Sequence, residues 1–183
     1  MSELFKIPNL LTLFRIVVLP LLFILAVRGE TIRFVVVFIA AGLSDCLDGY
    51  MARKLKQESK LGNNLDSFAD EMMFLSGIIF LYYLRNQIYR EQIMLLSLFV
   101  LLYLIDRIVI LNLRFRSPMV LHTIAGKNFQ ILYFITLPII LFVDNYKPFF
   151  FILMALGFYT VIEEIIIYFK HKKLHKGIVS AWT

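Results

Sequence analysis

The sequence is short of charge and of cysteine. Charged residues make up 17% of the 183 positions, where soluble domains carry about 25%. Hydrophobic residues fill 60% and the mean hydropathy is +0.79. That balance excludes a disordered chain and argues against an ordinary water-soluble globule. The lone cysteine, Cys46, makes no intramolecular disulfide and builds no cysteine-based zinc site. No linker, low-complexity tract or internal repeat interrupts the chain, so residues 1–183 read as a single domain. The net charge is +6. In a chain this apolar, a cationic excess reports loop orientation and anionic lipid, not nucleic-acid binding.

What the chain has instead is a series of apolar stretches of about 20 residues, the length that crosses about 30 Å of hydrocarbon. Six emerge, at about 7–27, 32–50, 65–84, 93–113, 123–143 and 149–169. The gaps between them are short, so neighbours should run antiparallel. The expected fold is all-α, a polytopic membrane protein of six transmembrane helices with a polar cavity open to the cytoplasm. The first stretch has no small-residue cleavage site and leads directly into the second, unlike a signal peptide. Most lysines and arginines fall in the loops at 53–60 and 114–127 and in the tail at 170–176. Only Arg28, Arg33, Arg85, Arg90 and Lys147 fall on the other side. Both termini are therefore expected in the cytoplasm. The lack of a targeting peptide points to a prokaryotic plasma membrane. Arg15 and Arg107 stand inside apolar stretches, where a cation needs a partner.

Asp45, Asp48, Asp66 and Asp70 also lie in or beside apolar stretches. A carboxylate within a membrane helix costs at least about 2.5–3.5 kcal/mol, so four of them must face one another, a cation or water. Asp45 and Asp48 are three apart and share a helical face, and Asp66 and Asp70 are four apart and share another. The two helices are consecutive and antiparallel, and both pairs lie at their cytoplasmic ends. Clustered anions repel, and a divalent cation removes that penalty. Oxygen ligands alone suit Mg²⁺, Mn²⁺ or Ca²⁺ rather than zinc. Gly49 and Gly62 permit close approach of a helix or ligand, and Arg53 is a cation able to fork onto phosphate. Acids for metal beside an arginine for phosphate fit phosphoryl transfer. A cation transporter would use the four acids but would have no need of Arg53.

These residues resemble the signature of the CDP-alcohol phosphatidyltransferase family, D-x2-D-G-x2-A-R-x8-G-x3-D-x3-D. Asp45, Asp48, Gly49, Ala52, Arg53, Gly62, Asp66 and Asp70 meet every spacing in it. The opening IPNLLTLFRIVVLP, through Pro8, Asn9, Thr12, Arg15 and Pro20, is similar to the branches that make phosphatidylglycerophosphate and cardiolipin. The resemblance implies that a CDP-linked lipid such as CDP-diacylglycerol gives its phosphatidyl group to the hydroxyl of a small alcohol, releasing CMP. It implies that Asp45, Asp48, Asp66 and Asp70 hold Mg²⁺ or Mn²⁺, with Asp70 also the general base. It further implies that Gly49, Ala52, Arg53 and Gly62 bind the CDP-lipid, and that the protein is a homodimer.

The acceptor is less legible. An anionic acceptor needs cations beyond the signature, and Arg107, Arg114, Arg116 and Lys127 are the candidates. Arg107 resembles the fourth-span arginine, and Gly126-Lys127 the fifth-span opening, of the phosphatidylglycerophosphate branch. Arg107 could equally pair with Asp106 or another acid. Ser67, Ile108 and the missing second lysine after Lys127 depart from that branch. Glycerol 3-phosphate is the expected acceptor. Inositol phosphate or serine comes next, then phosphatidylglycerol.

Overall fold

The computed structural model describes residues 7–54, 60–107 and 123–170. Within those ranges the side chains of residues 7–9, 46, 48–50, 52–53, 60–61, 63–64 and 168 stand outside the description. The described residues form six helices. These are α1 (Ile7–Val27), α2 (Thr31–Lys54), α3 (Lys60–Leu84), α4 (Asn86–Leu104), α5 (Ile124–Phe142) and α6 (Lys147–Lys170). No strand occurs among them.

Five of the helices are long and apolar enough to cross a membrane: α1, α3, α4, α5 and α6. The chain is accordingly an integral membrane protein. The expectation of six spans meets a difference at α2, whose C-terminal half carries Asp45, Asp48, Arg53 and Lys54 and so loses apolar character. The helices also outrun several apolar stretches. α3 begins at Lys60 and α4 at Asn86, before the apolar runs expected from 65 and 93. Apolarity marks the part of a helix that meets hydrocarbon, and polar turns such as Asn86–Glu91 extend it beyond. Past Leu104 the fourth helix continues as a wider π-type turn through 105–107.

The chain divides into two compact units, Met1–Glu91 and Gln92–Thr183, with the boundary inside α4. In the first unit α1 packs against both α2 and α3. Gly29 turns the chain from α1 into α2 at φ 68°, and the Glu30 N–H donates to the Leu25 carbonyl at 3.0 Å. This closes the end of α1 with a left-handed glycine just past the helix. Thr12, Arg15, Val18, Leu22 and Ala26 form the buried stripe of α1, while Leu10, Phe14, Val17, Leu21 and Ile24 stay exposed. That one-sided burial at helical spacing suits a helix with protein on one side and lipid on the other. Phe34, Phe38 and Ala41 on α2, and Ala69, Met73 and Phe80 on α3, are buried in the same way. Phe34 and Phe80 meet edge to face at 4.8 Å.

In the second unit α5 packs on α6. Thr123 caps α5: its side chain accepts from the Gly126 N–H at 3.0 Å. Gly157 lets α6 come close to aromatic rings, since a Cβ there would stand 2.8 Å from Phe99 Cε2 and 2.9 Å from Phe129 Cε2. From Gly157 the buried face of α6 runs on through Thr160, Val161, Glu164 and Ile167.

Candidate metal centre and an internal arginine

In the first unit three of the four expected acids come together. Asp45 near the end of α2, and Asp66 and Asp70 in the first half of α3, converge. Each offers a carboxylate oxygen, and the three oxygens lie within 4.8 Å of one another. All three acids are half-buried. α1 packs against both α2 and α3 and so brings the acids of the two helices together. The four-residue step of α3 then places Asp66 and Asp70 on one side. Three carboxylates from two helices make a hard, all-oxygen donor set of the kind that holds Mg²⁺ or Mn²⁺. The residues present therefore fit a divalent cation.

A third helix adds a cation of its own. The guanidinium of Arg15, on α1, is fully buried and contacts all three acids. Its Nη1 lies 2.7 Å from Asp45 Oδ1 and 2.5 Å from Asp70 Oδ1, and its Nη2 pairs with Asp66 Oδ1. The Arg15 side chain is 0% exposed, whereas those of Asp45, Asp66 and Asp70 are 24%, 37% and 23% exposed. The arginine thus backs the acids from inside the protein, and they keep an open side. The planar fork of arginine suits this, because its two terminal nitrogens can serve several carboxylates at once. Sequence reasoning places Arg15 within a span and in the opening pattern, but not at this site. The signal available was a buried cation's need for a partner. The identity of that partner depends on packing across 51 and 55 residues of chain.

The other expected site residues are distributed differently. Gly62 lies in the first turns of α3, one turn before Asp66, and is half-buried. The side chains of Asp48, Gly49, Ala52 and Arg53 lie outside the described residues, as do Arg114 and Arg116 altogether. Lys127 is exposed on the first turn of α5.

Arg107 stands in the second unit, in a cluster of buried acids. Its Nη1 lies 3.1 Å from Glu164 Oε2, and its Nε lies 3.9 Å from Asp106 Oδ2. Its guanidinium carbon is 5.0 Å from the centre of the Tyr103 ring, a cation–π contact. Asp106, Glu163 and Glu164 are all buried. One of the two acids deep in α6 thus acquires a place: Glu164 is a partner of Arg107, and it also lies beside Gly126, whose Cβ would stand 3.7 Å from Glu164 Oε1.

Comparison with known proteins adds the following. A family profile described as CDP-alcohol phosphatidyltransferase matches residues 5–169. Among curated proteins, a CDP-diacylglycerol–glycerol-3-phosphate 3-phosphatidyltransferase of Haemophilus influenzae is 37% identical over 78 residues, 41% of this chain and 42% of that protein. Proteins of the same name from Wigglesworthia glossinidia brevipalpis and Escherichia coli K12 are 38% identical over 77 residues and 35% identical over 78. Those matches cover 40% and 41% of this chain, and 42% and 43% of the respective relatives. The matched stretch thus spans about two fifths of the length of these relatives. No solved structure matches the chain.

Proposed function

The chain belongs to the CDP-alcohol phosphatidyltransferase family, and from that membership we propose that it makes phosphatidylglycerophosphate. It would transfer the phosphatidyl group of CDP-diacylglycerol to the hydroxyl of glycerol 3-phosphate and release CMP. The convergence of Asp45, Asp66 and Asp70 from α2 and α3 is the observation that carries this reading. The shared name of the relatives favours glycerol 3-phosphate as acceptor.

In this reading Asp45, Asp66 and Asp70, with Asp48, hold Mg²⁺ or Mn²⁺. When bound, that cation neutralises charge on the diphosphate and on the departing CMP. Asp70 accepts the proton of the acceptor hydroxyl as its oxygen attacks phosphorus. The bond from that phosphorus to the CMP oxygen breaks, and CMP leaves with the electron pair. Gly49, Ala52, Arg53 and Gly62 bind the CDP-lipid. Arg107 and Lys127, with Arg114 and Arg116, bind the acceptor phosphate, which would have to compete with Glu164 for Arg107. The protein would act as a homodimer of single-domain subunits in a bacterial inner membrane, with α2 as a sixth span and both termini in the cytoplasm.

The test is CMP release by purified protein with CDP-diacylglycerol and Mg²⁺. Glycerol 3-phosphate, inositol phosphate and serine are offered separately. The proposal expects release with glycerol 3-phosphate alone. Release with another acceptor would reassign the headgroup. Silence with all three, from folded protein, would remove the proposed reaction.

A further inference from the structure

We propose that Arg15 is a built-in countercharge that offsets part of the metal centre's negative charge, so that the divalent cation loads together with the CDP-lipid rather than before it. The inference rests on the proposed metal site. Its starting point is the burial difference: the guanidinium is fully buried, while the three carboxylates it touches keep an exposed side. Arg15 therefore holds Asp45, Asp66 and Asp70 together from beneath and stabilises the cluster when no metal is bound. A cation arriving from the open side finds the negative charge of Asp45, Asp66 and Asp70 already offset in part by the Arg15 guanidinium, 2.5–2.7 Å from two of these acids.

That positive charge works against a second cation. Like charges a few ångströms apart repel strongly wherever the dielectric is below that of water. An acid cluster without Arg15 would hold a divalent ion more tightly by itself. With Arg15 present, firm binding needs further anions. The diphosphate of the CDP-lipid brings two negative charges and oxygen ligands. Metal and lipid should therefore bind cooperatively, each raising the other's affinity by the same factor. Arg15 acts through the acids in this scheme, which makes it a positioning residue.

The test measures Mn²⁺ binding to the full-length protein in detergent by electron paramagnetic resonance, with and without CDP-diacylglycerol. Wild type should bind Mn²⁺ weakly alone and at least about tenfold more tightly with the CDP-lipid. Arg15→Gln should bind Mn²⁺ alone on the order of tenfold more tightly than wild type. Its metal-free form should melt at a lower temperature and recover when Mn²⁺ is added. Arg15→Lys loses the fork but keeps the charge, so a countercharge role predicts Mn²⁺ binding alone within about threefold of wild type. If Arg15→Gln does not fold, the lysine variant still decides. Mn²⁺ binding tenfold weaker than wild type would make Arg15 a preorganising clamp and overturn the countercharge. Equal or weaker Mn²⁺ binding by folded Arg15→Gln would also overturn it, leaving the metal site in place. No Mn²⁺ binding by any variant, with or without CDP-diacylglycerol, would remove the metal site and this inference with it.

Discussion

Gly157→Ala sets two effects of similar size against each other in the second unit. Replacing a helical glycine by alanine ordinarily stabilises a helix by about 1 kcal/mol. Here the new Cβ would stand 2.8 Å from Phe99 Cε2, 2.9 Å from Phe129 Cε2 and 3.0 Å from Phe99 Cζ. The Phe99 ring has no easy retreat. Phe99 is 3% exposed, lies edge-on to Phe158 at 5.3 Å, and has Phe129 at 6.0 Å and Tyr103 at 6.4 Å. Overpacking of a filled core costs about 1–3 kcal/mol, so the clash should exceed the helix gain and leave a net loss of about 1 kcal/mol. For a chain of this size that lowers the melting temperature by about 2–4 °C. Glu164 lies two turns further along α6, so pushing the helix outward should also loosen its contact with Arg107. Thermal unfolding in detergent reads the first effect. Gly126→Ala is the control, because its nearest neighbour would be Thr123 Oγ1 at 3.2 Å and the next two atoms stand at 3.7 Å. Its 3.2 Å contact is tight but longer than the ring contacts at Gly157, so Gly126→Ala should lose less stability than Gly157→Ala. A Gly157→Ala protein more stable than wild type would refute the close-approach reasoning.

Three further outcomes follow from the same structure. Asp70→Asn, which keeps shape but loses the base and one ligand charge, should lower CMP release by about 10²–10⁴-fold, and wild-type turnover by folded protein would remove Asp70 from the reaction. Glu164→Gln removes the carboxylate charge whose Oε2 lies 3.1 Å from Arg107 Nη1. It should cost about 2–3 kcal/mol, less than the usual loss on breaking a buried pair because the amide still accepts a hydrogen bond; an unchanged unfolding curve would contradict the pairing. Gly29→Ala should cost about 1–2 kcal/mol from backbone strain alone, since φ is 68° and no atom lies within 4 Å of the added Cβ; a stabilised variant in thermal unfolding would show that the turn is not left-handed.

α1 ends at Val27, where the first apolar stretch also ends. α4 is different. Its first turns, Asn86–Glu91, are polar and helical, and hydropathy is blind to a helix that extends past the hydrocarbon. The pairing of Asp66 with Asp70 was readable because a step of four sets one helical face. Arg15 was not readable in the same way. Its partners stand across helix packing that no local periodicity encodes. For Arg107 the sequence left two roles open, phosphate binding or an internal ion pair. The structure places Glu164 beside it from the last helix, a partner more than fifty residues away in sequence. Charges in apolar spans announced that partners must exist, and only the packing of whole helices chose them.

The most direct test of the central claim follows the acceptor into lipid. Purified protein is given CDP-diacylglycerol, Mg²⁺ and carbon-labelled glycerol 3-phosphate, and the organic phase is separated and analysed. The account predicts label in phosphatidylglycerophosphate, one CMP formed per labelled lipid, and loss of both products with a metal chelator or with Asp70→Asn. Label confined to the aqueous phase, from wild-type protein that is folded and binds CDP-diacylglycerol, would contradict it.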